Sequence, residues 1–121
     1  MEKRFLSIEE FNQLLQQWNG ESIKIVKHEL DDLDETLLDL DSLSYSNNDN
    51  RGDGYEARHS LYLNGSGVIE TTSHNYETLP KDFYEIPLED STLYEFDGSR
   101  FILSTTRGVY TIEIANNEHY M

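Results

Sequence analysis

Between Leu93 and Ile114 apolar and polar side chains alternate with a period of two, and the alternation is broken only around Asp97-Gly98 and Arg107-Gly108. Such a stretch is committed to antiparallel hairpins, because successive strand side chains point to opposite faces and a glycine-bearing dipeptide reverses the chain. If Asp97-Gly98 forms the two-residue turn, Tyr94 faces Phe101, Glu95 faces Arg100 and Leu93 faces Ile102. If Arg107-Gly108 forms a second, Leu103 faces Ile112 and Phe101 faces Ile114. Both registers put Tyr94, Phe96, Phe101, Leu103, Tyr110, Ile112 and Ile114 on one face, the expected core. The other face carries Glu95, Arg100, Ser104, Thr111 and Glu113 with Leu93, Ile102 and Val109, and a one-residue slip would exchange the two faces.

The opposite end of the chain has helical spacing. Ser7 and Glu10 make an S-x-x-E capping box, Glu9 and Glu10 lie in the first turn where the helix dipole favours acids, and Gly20 stands where a terminating glycine belongs. Ile8, Phe11, Leu14, Leu15 and Trp18 form one apolar stripe at three- and four-residue intervals, which predicts a helix over about residues 8 to 19. Phe5 and Leu6 stand before the cap, in position to staple it. The stripe is expected to pack on the sheet, because Leu, Ile, Val and Phe make up only about a quarter of the chain and a lean core needs that area.

The middle reads mostly as strands. Ser22 to Leu30 is extended, with Ile23 and Ile25 on one face. From Glu29 to Ser44 the leucines fit either a helical stripe or a strand. Asp is poor inside helices and good in turns, which favours a hairpin turning at Asp31 to Glu35 and returning as Thr36 to Tyr45. Ser46 to Gly54 has loop composition. Tyr55 to Leu63 alternates, Asn64-Gly65-Ser66-Gly67 reads as a turn, and Val68 to Thr72 returns. Residues 73 to 90 contain both prolines and read as irregular, with an extended piece around Tyr84 to Leu88 and a loop position suited to a lid or a sheet crossover. The expected fold is α+β and mostly β: one domain over residues 1–121, an N-terminal helix packed on an antiparallel sheet of five to seven strands, with a curled small barrel as a variant. This order of elements resembles that of Sm-like and other small barrels, without their signature residues, and the RNA binding of those proteins conflicts with the charge.

That charge is severe. Against 24 Asp and Glu stand 9 Lys and Arg, a formal net charge of −15. A protein so acidic is repelled by phosphate backbones and anionic membranes, so neither nucleic acid nor a membrane is an expected partner. No apolar run approaches the length of a membrane helix, and no signal-peptide hydrophobic region is present. With no cysteine, there is no disulfide framework, no thiolate metal site and no cysteine nucleophile, and a cytoplasmic location is expected.

The acids are concentrated. Glu29, Asp31, Asp32, Asp34, Glu35, Asp39, Asp41 and Asp49 fall in one segment, Glu29 to Asn50, that holds no Lys or Arg. Either the segment docks a basic protein through fast, salt-sensitive association, or it is a solvated face that confers solubility and blunts edge pairing. Asp49, Asp53 and Gly54 faintly suggest a calcium loop, but an EF-hand frame starting at Asp49 would put Arg51 and Ser60 at ligand positions, so no metal site is expected. His28, His59, His74 and His119 have no metal-ligand spacing, no nucleophile motif is present, and no cofactor is implied. The leading expectation is a small acidic binding protein, of an inhibitor, immunity-type or regulatory kind, that engages a basic protein through these eight acids. The alternatives are a small-ligand protein or enzyme with a pocket at the sheet mouth, for which His59 or His74 beside a carboxylate would be the sign, and a module that self-associates.

Overall fold

A computed structural model describes residues 4–30, 32–48, 58–70 and 76–115. Strand β1 (Arg4–Leu6) leads into helix α1 (Ile8–Gln16), followed by β2 (Ser22–Glu29), β3 (Asp32–Asn48), β4 (Arg58–Glu70), β5 (Tyr76–Thr78), β6 (Phe83–Glu89), β7 (Leu93–Phe96), β8 (Arg100–Ser104) and β9 (Val109–Ile114). All nine strands join one antiparallel sheet in the order β1-β7-β8-β9-β2-β3-β4-β5, and β6 shares with β5 the edge of β4 opposite β3. The sheet has more than the expected five to seven strands and is open. The additions are short or irregular in sequence: Arg4 to Leu6 pairs with β7 ahead of the helix, Tyr76 to Thr78 pairs with β4, and neither is long enough to show a period. Pro87 is accommodated because β6 has a ladder partner on one side only.

The capping box forms as expected. The Ser7 hydroxyl accepts the Glu10 amide at 3.1 Å, and the Glu10 carboxylate accepts the Ser7 amide at 3.0 Å. The helix ends earlier than the stripe, at Gln16, because Gln17, Trp18 and Asn19 bond back only three residues and tighten the last turn. Gly20, at φ +93°, then turns the chain toward β2. Phe11 and Leu15 are fully buried, and Phe11 packs on Tyr94 and edge-on to Phe101 at ring distances of 5.0 and 5.4 Å. Trp18 reaches the same Phe101 ring at 4.9 Å. The helix thus covers the inner face of the sheet, where Ile23, Ile25, Leu38, Leu61, Ile86 and Leu103 join it in one core.

Both C-terminal hairpins differ from the expected register by two residues. Tyr94 lies opposite Leu103 and Phe96 opposite Phe101, while Phe101 lies opposite Ile112 and Leu103 opposite Tyr110. The first loop is centred on Gly98-Ser99, with Gly98 at φ +99°, and the Asp97 amide donates to the Arg100 carbonyl. Asp97 fixes this loop by accepting the Ser99 and Arg100 amides at 2.9 and 3.0 Å. These bonds and the Ser99 hydroxyl hold its carboxyl well down, to about 2. The second loop is centred on Thr106-Arg107, where the Thr105 hydroxyl accepts the Arg107 and Gly108 amides. A shift of two preserves the faces, so the expected core residues are buried or half-buried, except that Ile114 at the strand end is exposed. The expected Glu95 to Arg100 cross-strand pair is lost: Glu95 lies opposite Ile102, and Arg100 bonds Asp97 at 3.3 Å.

Candidate functional site

The acidic segment lies mainly on β3, and strand alternation divides it. The β2-β3 turn is tighter than expected. Glu29 pairs directly with Asp32, Leu30 takes the left-handed conformation at φ +50°, and Asp32 to Glu35 belong to the strand. Two lysines of β2 then offset three of the acids near this turn. Lys27, directly opposite Asp34, lies 4.0 Å from it and 3.5 Å from Glu29. On the other face, Lys24 lies 3.7 Å from Glu35 and 3.4 Å from Glu113 of β9. Asp32 is exposed, and Asp31 and Asp49 lie outside the described residues. The segment holds no base of its own, but the strand beside it supplies two. A hairpin register with Leu30-Asp31 as its turn would have found the Lys27 to Asp34 pair from sequence.

The remaining two acids, Asp39 and Asp41, lie where β3 is irregular. Its register with β4 shifts between Leu40 and Ser42, leaving Asp41 as the extra residue of a bulge. Asn64-Gly65-Ser66-Gly67, expected as a turn, runs straight through β4 instead. The two glycines let the strands approach: a Cβ on Gly65, whose φ is +152°, would collide with the Asp39 carbonyl, and one on Gly67 with the Leu37 carbonyl. Other backbone converges on the same place. The Leu40 amide donates to the Glu21 carbonyl, the Gly20 amide to the Leu40 carbonyl and the Gly65 amide to the Asp82 carbonyl, each at 2.8 to 2.9 Å. Four exposed acids, Glu21, Asp39, Asp41 and Asp82, therefore border one bulge. Asp39 accepts the Ser22 hydroxyl at 2.6 Å, and among the described residues no Lys or Arg pairs with any of the four. Glu21 and Asp82 are far from the segment in sequence, and only the fold brings them to it.

A second feature lies at the far end of β3. Among the described residues, a depression of about 340 Å³ is lined by Ile8 at the start of α1, Tyr45 and Ser46 of β3, and His59 of β4. The Tyr45 hydroxyl donates to Asn12 Oδ1 at 2.9 Å, which ties β3 to the helix. Burial, and then the nearby Tyr94, push the Tyr45 hydroxyl up to about 12. His59 is half-buried, and no described hydrogen bond or ion pair engages its ring. His74, the other histidine named for such a pocket, lies outside the described residues, and no carboxylate stands among the described lining residues. No group of His, Asp and Glu suited to a metal ion occurs among the described residues, and no helix there is long and apolar enough to cross a membrane.

Compared with known proteins, the chain is matched over residues 5–117 by the family model of YmzB-like proteins, and so belongs to that family. No curated protein and no solved structure matches it.

Proposed function

We propose that this YmzB-like protein is a small non-enzymatic binding protein, of an inhibitor, immunity-type or regulatory kind, that docks a basic surface of another protein against the acidic border of the β3 bulge. The observation that carries the reading is the contrast along one strand: near the β2-β3 turn Glu29, Asp34 and Glu35 are paired with Lys24 or Lys27, whereas Asp39 and Asp41, joined by Glu21 and Asp82, face solvent without a cationic partner among the described residues. Uncompensated like charges repel one another, and a cation from outside relieves that repulsion while speeding encounter. The reading centres the eight-residue segment on its C-terminal part and leaves Asp31, Asp32 and Asp49 as further candidates. It sets the protein in the cytoplasm, where a chain without cysteine forgoes nothing.

The test is affinity capture of a partner, followed by binding measured against salt concentration. Wild-type binding is expected to weaken steeply as salt rises and to drop by about tenfold in Asp39→Asn/Asp41→Asn, the scale of losing two close charge pairs. A Glu9→Gln control on the helix is expected to bind as wild type. Binding that ignores both salt and the double variant would overturn the proposal.

A further inference from the structure

We infer that Asn64 is a deamidation site that the fold keeps closed: the folded chain retains its side-chain amide, whereas the unfolded chain loses it, and the isoaspartyl product cannot return to the β3-β4 register. The inference stands whatever docks at the bulge.

The chemistry needs only a base and water. The main-chain nitrogen of the following residue gives up its proton to hydroxide and attacks the asparagine Cγ. A C–N bond forms, the Cγ–Nδ2 bond breaks, and ammonia leaves with a proton taken from water. Water then opens the cyclic imide at one of its two carbonyls, which gives either aspartate or isoaspartate, the latter with an extra carbon in the main chain. Glycine in the following position favours the attack because it has no Cβ to obstruct it. The sequence has two such steps, Asn19-Gly20 and Asn64-Gly65.

Three features close the route at Asn64. The nucleophile is engaged, for the Gly65 amide donates to the Asp82 carbonyl at 2.9 Å. The electrophile is turned away: Asn64 Nδ2 donates to Ser44 Oγ at 3.1 Å and to Ser42 Oγ at 3.4 Å, so the side chain leans over β3. The ladder keeps the two apart. Asn64 pairs with Ser42 on one side and Phe83 on the other, and in such a strand the next amide lies in the plane of the sheet while the side chain stands across it. Asn64 is only half-buried, so exclusion of water is not what protects it.

Asn19 supplies the contrast within the same chain. It is exposed between α1 and β2, and no described hydrogen bond engages its side chain. Of the three closures it has one, the Gly20 amide donating to the Leu40 carbonyl at 2.8 Å. The products at position 64 also differ. Aspartate keeps the length of the backbone. Isoaspartate lengthens it beside Gly65, where a Cβ would already collide with the Asp39 carbonyl and where β3 has placed its extra residue at Asp41. The two strands then lose their common alternation.

The test incubates native and guanidinium-unfolded full chains at the same mildly alkaline pH and follows both asparagines by peptide mapping, which reads the mass gain and separates isoaspartate from aspartate. Asn64 is expected to convert at least about tenfold more slowly in the native chain than in the unfolded one, because reaction requires the ladder to open. Asn19 is expected to differ less between the two states. After removal of guanidinium, chains with isoaspartate at position 64 are expected to stay out of the refolded fraction, and those with aspartate to enter it. Ser44→Ala removes the shorter side-chain bond and is expected to raise the native rate at Asn64 about threefold, the worth of one modest hydrogen bond, while leaving Asn19 as it was. Equal rates at Asn64 in native and unfolded chains, a rise at both asparagines in Ser44→Ala, or refolding of isoaspartyl chains as readily as intact ones would overturn the inference.

Discussion

Gly65 and Gly67 determine how closely the two longest strands can lie. Each sits where a Cβ would overlap a β3 carbonyl, so the missing side chains are a requirement of the β3-β4 ladder rather than a mark of chain reversal. Gly67→Ala is expected to force the strands apart at Leu37 and to destabilise the protein by about 1 to 3 kcal/mol, in the range of locally stored backbone strain, as measured by urea unfolding. Ser66→Ala, between them and exposed, is expected to change little by the same measurement. The tight approach also fixes the bulge: with Asp39, Leu40 and Gly65 locked in register, Asp41 becomes the residue left over. A conformational freedom normally spent on turning is spent here on proximity, so Asn-Gly-Ser-Gly misleads a reader of the sequence.

At the scale of elements, the β2-β3 hairpin depends on Lys27. Its ammonium lies within 4.0 Å of both Glu29 and Asp34, diagonal neighbours across the ladder, and offsets their mutual repulsion. Lys27→Met is expected to cost about 1 kcal/mol in denaturant unfolding, since both pairs are half-exposed and screened. Adding Asp34→Leu to Lys27→Met is expected to recover part of the loss by removing the repulsion. The elements themselves were legible to different degrees. The capping box and helical stripe located α1 because local bonds alone decide it, and alternation assigned the faces of β7, β8 and β9 because a two-residue error in register leaves the pleat unchanged. Turn composition failed at Asp31 to Glu35 and Asn64 to Gly67, where acids and glycines serve strand pairing. Strands β1 and β5 carry no period, since three residues complete no alternation. Of the candidate site, Asp39 and Asp41 lie in the segment that composition marked, whereas Glu21 and Asp82 join them only through long-range hydrogen bonds that no local pattern encodes. His59 was visible as a residue but not as a lining group, since its neighbours Ile8 and Tyr45 come from distant elements.

At the scale of the whole molecule, the open sheet bends far enough for its distant parts to meet. The Glu89 carboxylate of β6 accepts the Thr106 hydroxyl at 2.7 Å and its amide at 3.4 Å, which joins β6 to the β8-β9 loop although the two strands share no ladder. Four tyrosines line the same inner side. Burial is the leading cause at each, pushing Tyr45 and Tyr94 up to about 12, with Asp90 adding to Tyr94, and raising Tyr84 and Tyr110 as well. Below about pH 10 both folded and unfolded chains keep these phenol protons and the full stability is present. Above it the unfolded chain releases protons that the fold retains, so stability is expected to fall as pH rises from about 10 toward 12. Following denaturant midpoint and tyrosinate absorbance together tests this: the midpoint should drop over that interval, with tyrosinate appearing as the chain unfolds. The pairing of β2 with β9 has a further consequence, for how the chain is made. Ile23 and Ile25 take their second neighbours from Ile114 and Ile112, near the opposite end of the sequence. During synthesis β2 can acquire β3 within a few residues, but its other edge waits until the chain has been made through β9. An unpaired apolar edge is a template for unwanted association. The nascent chain is therefore most vulnerable just before β9 arrives, and truncations within β9 belong to the class that aggregates rather than the class that merely loosens.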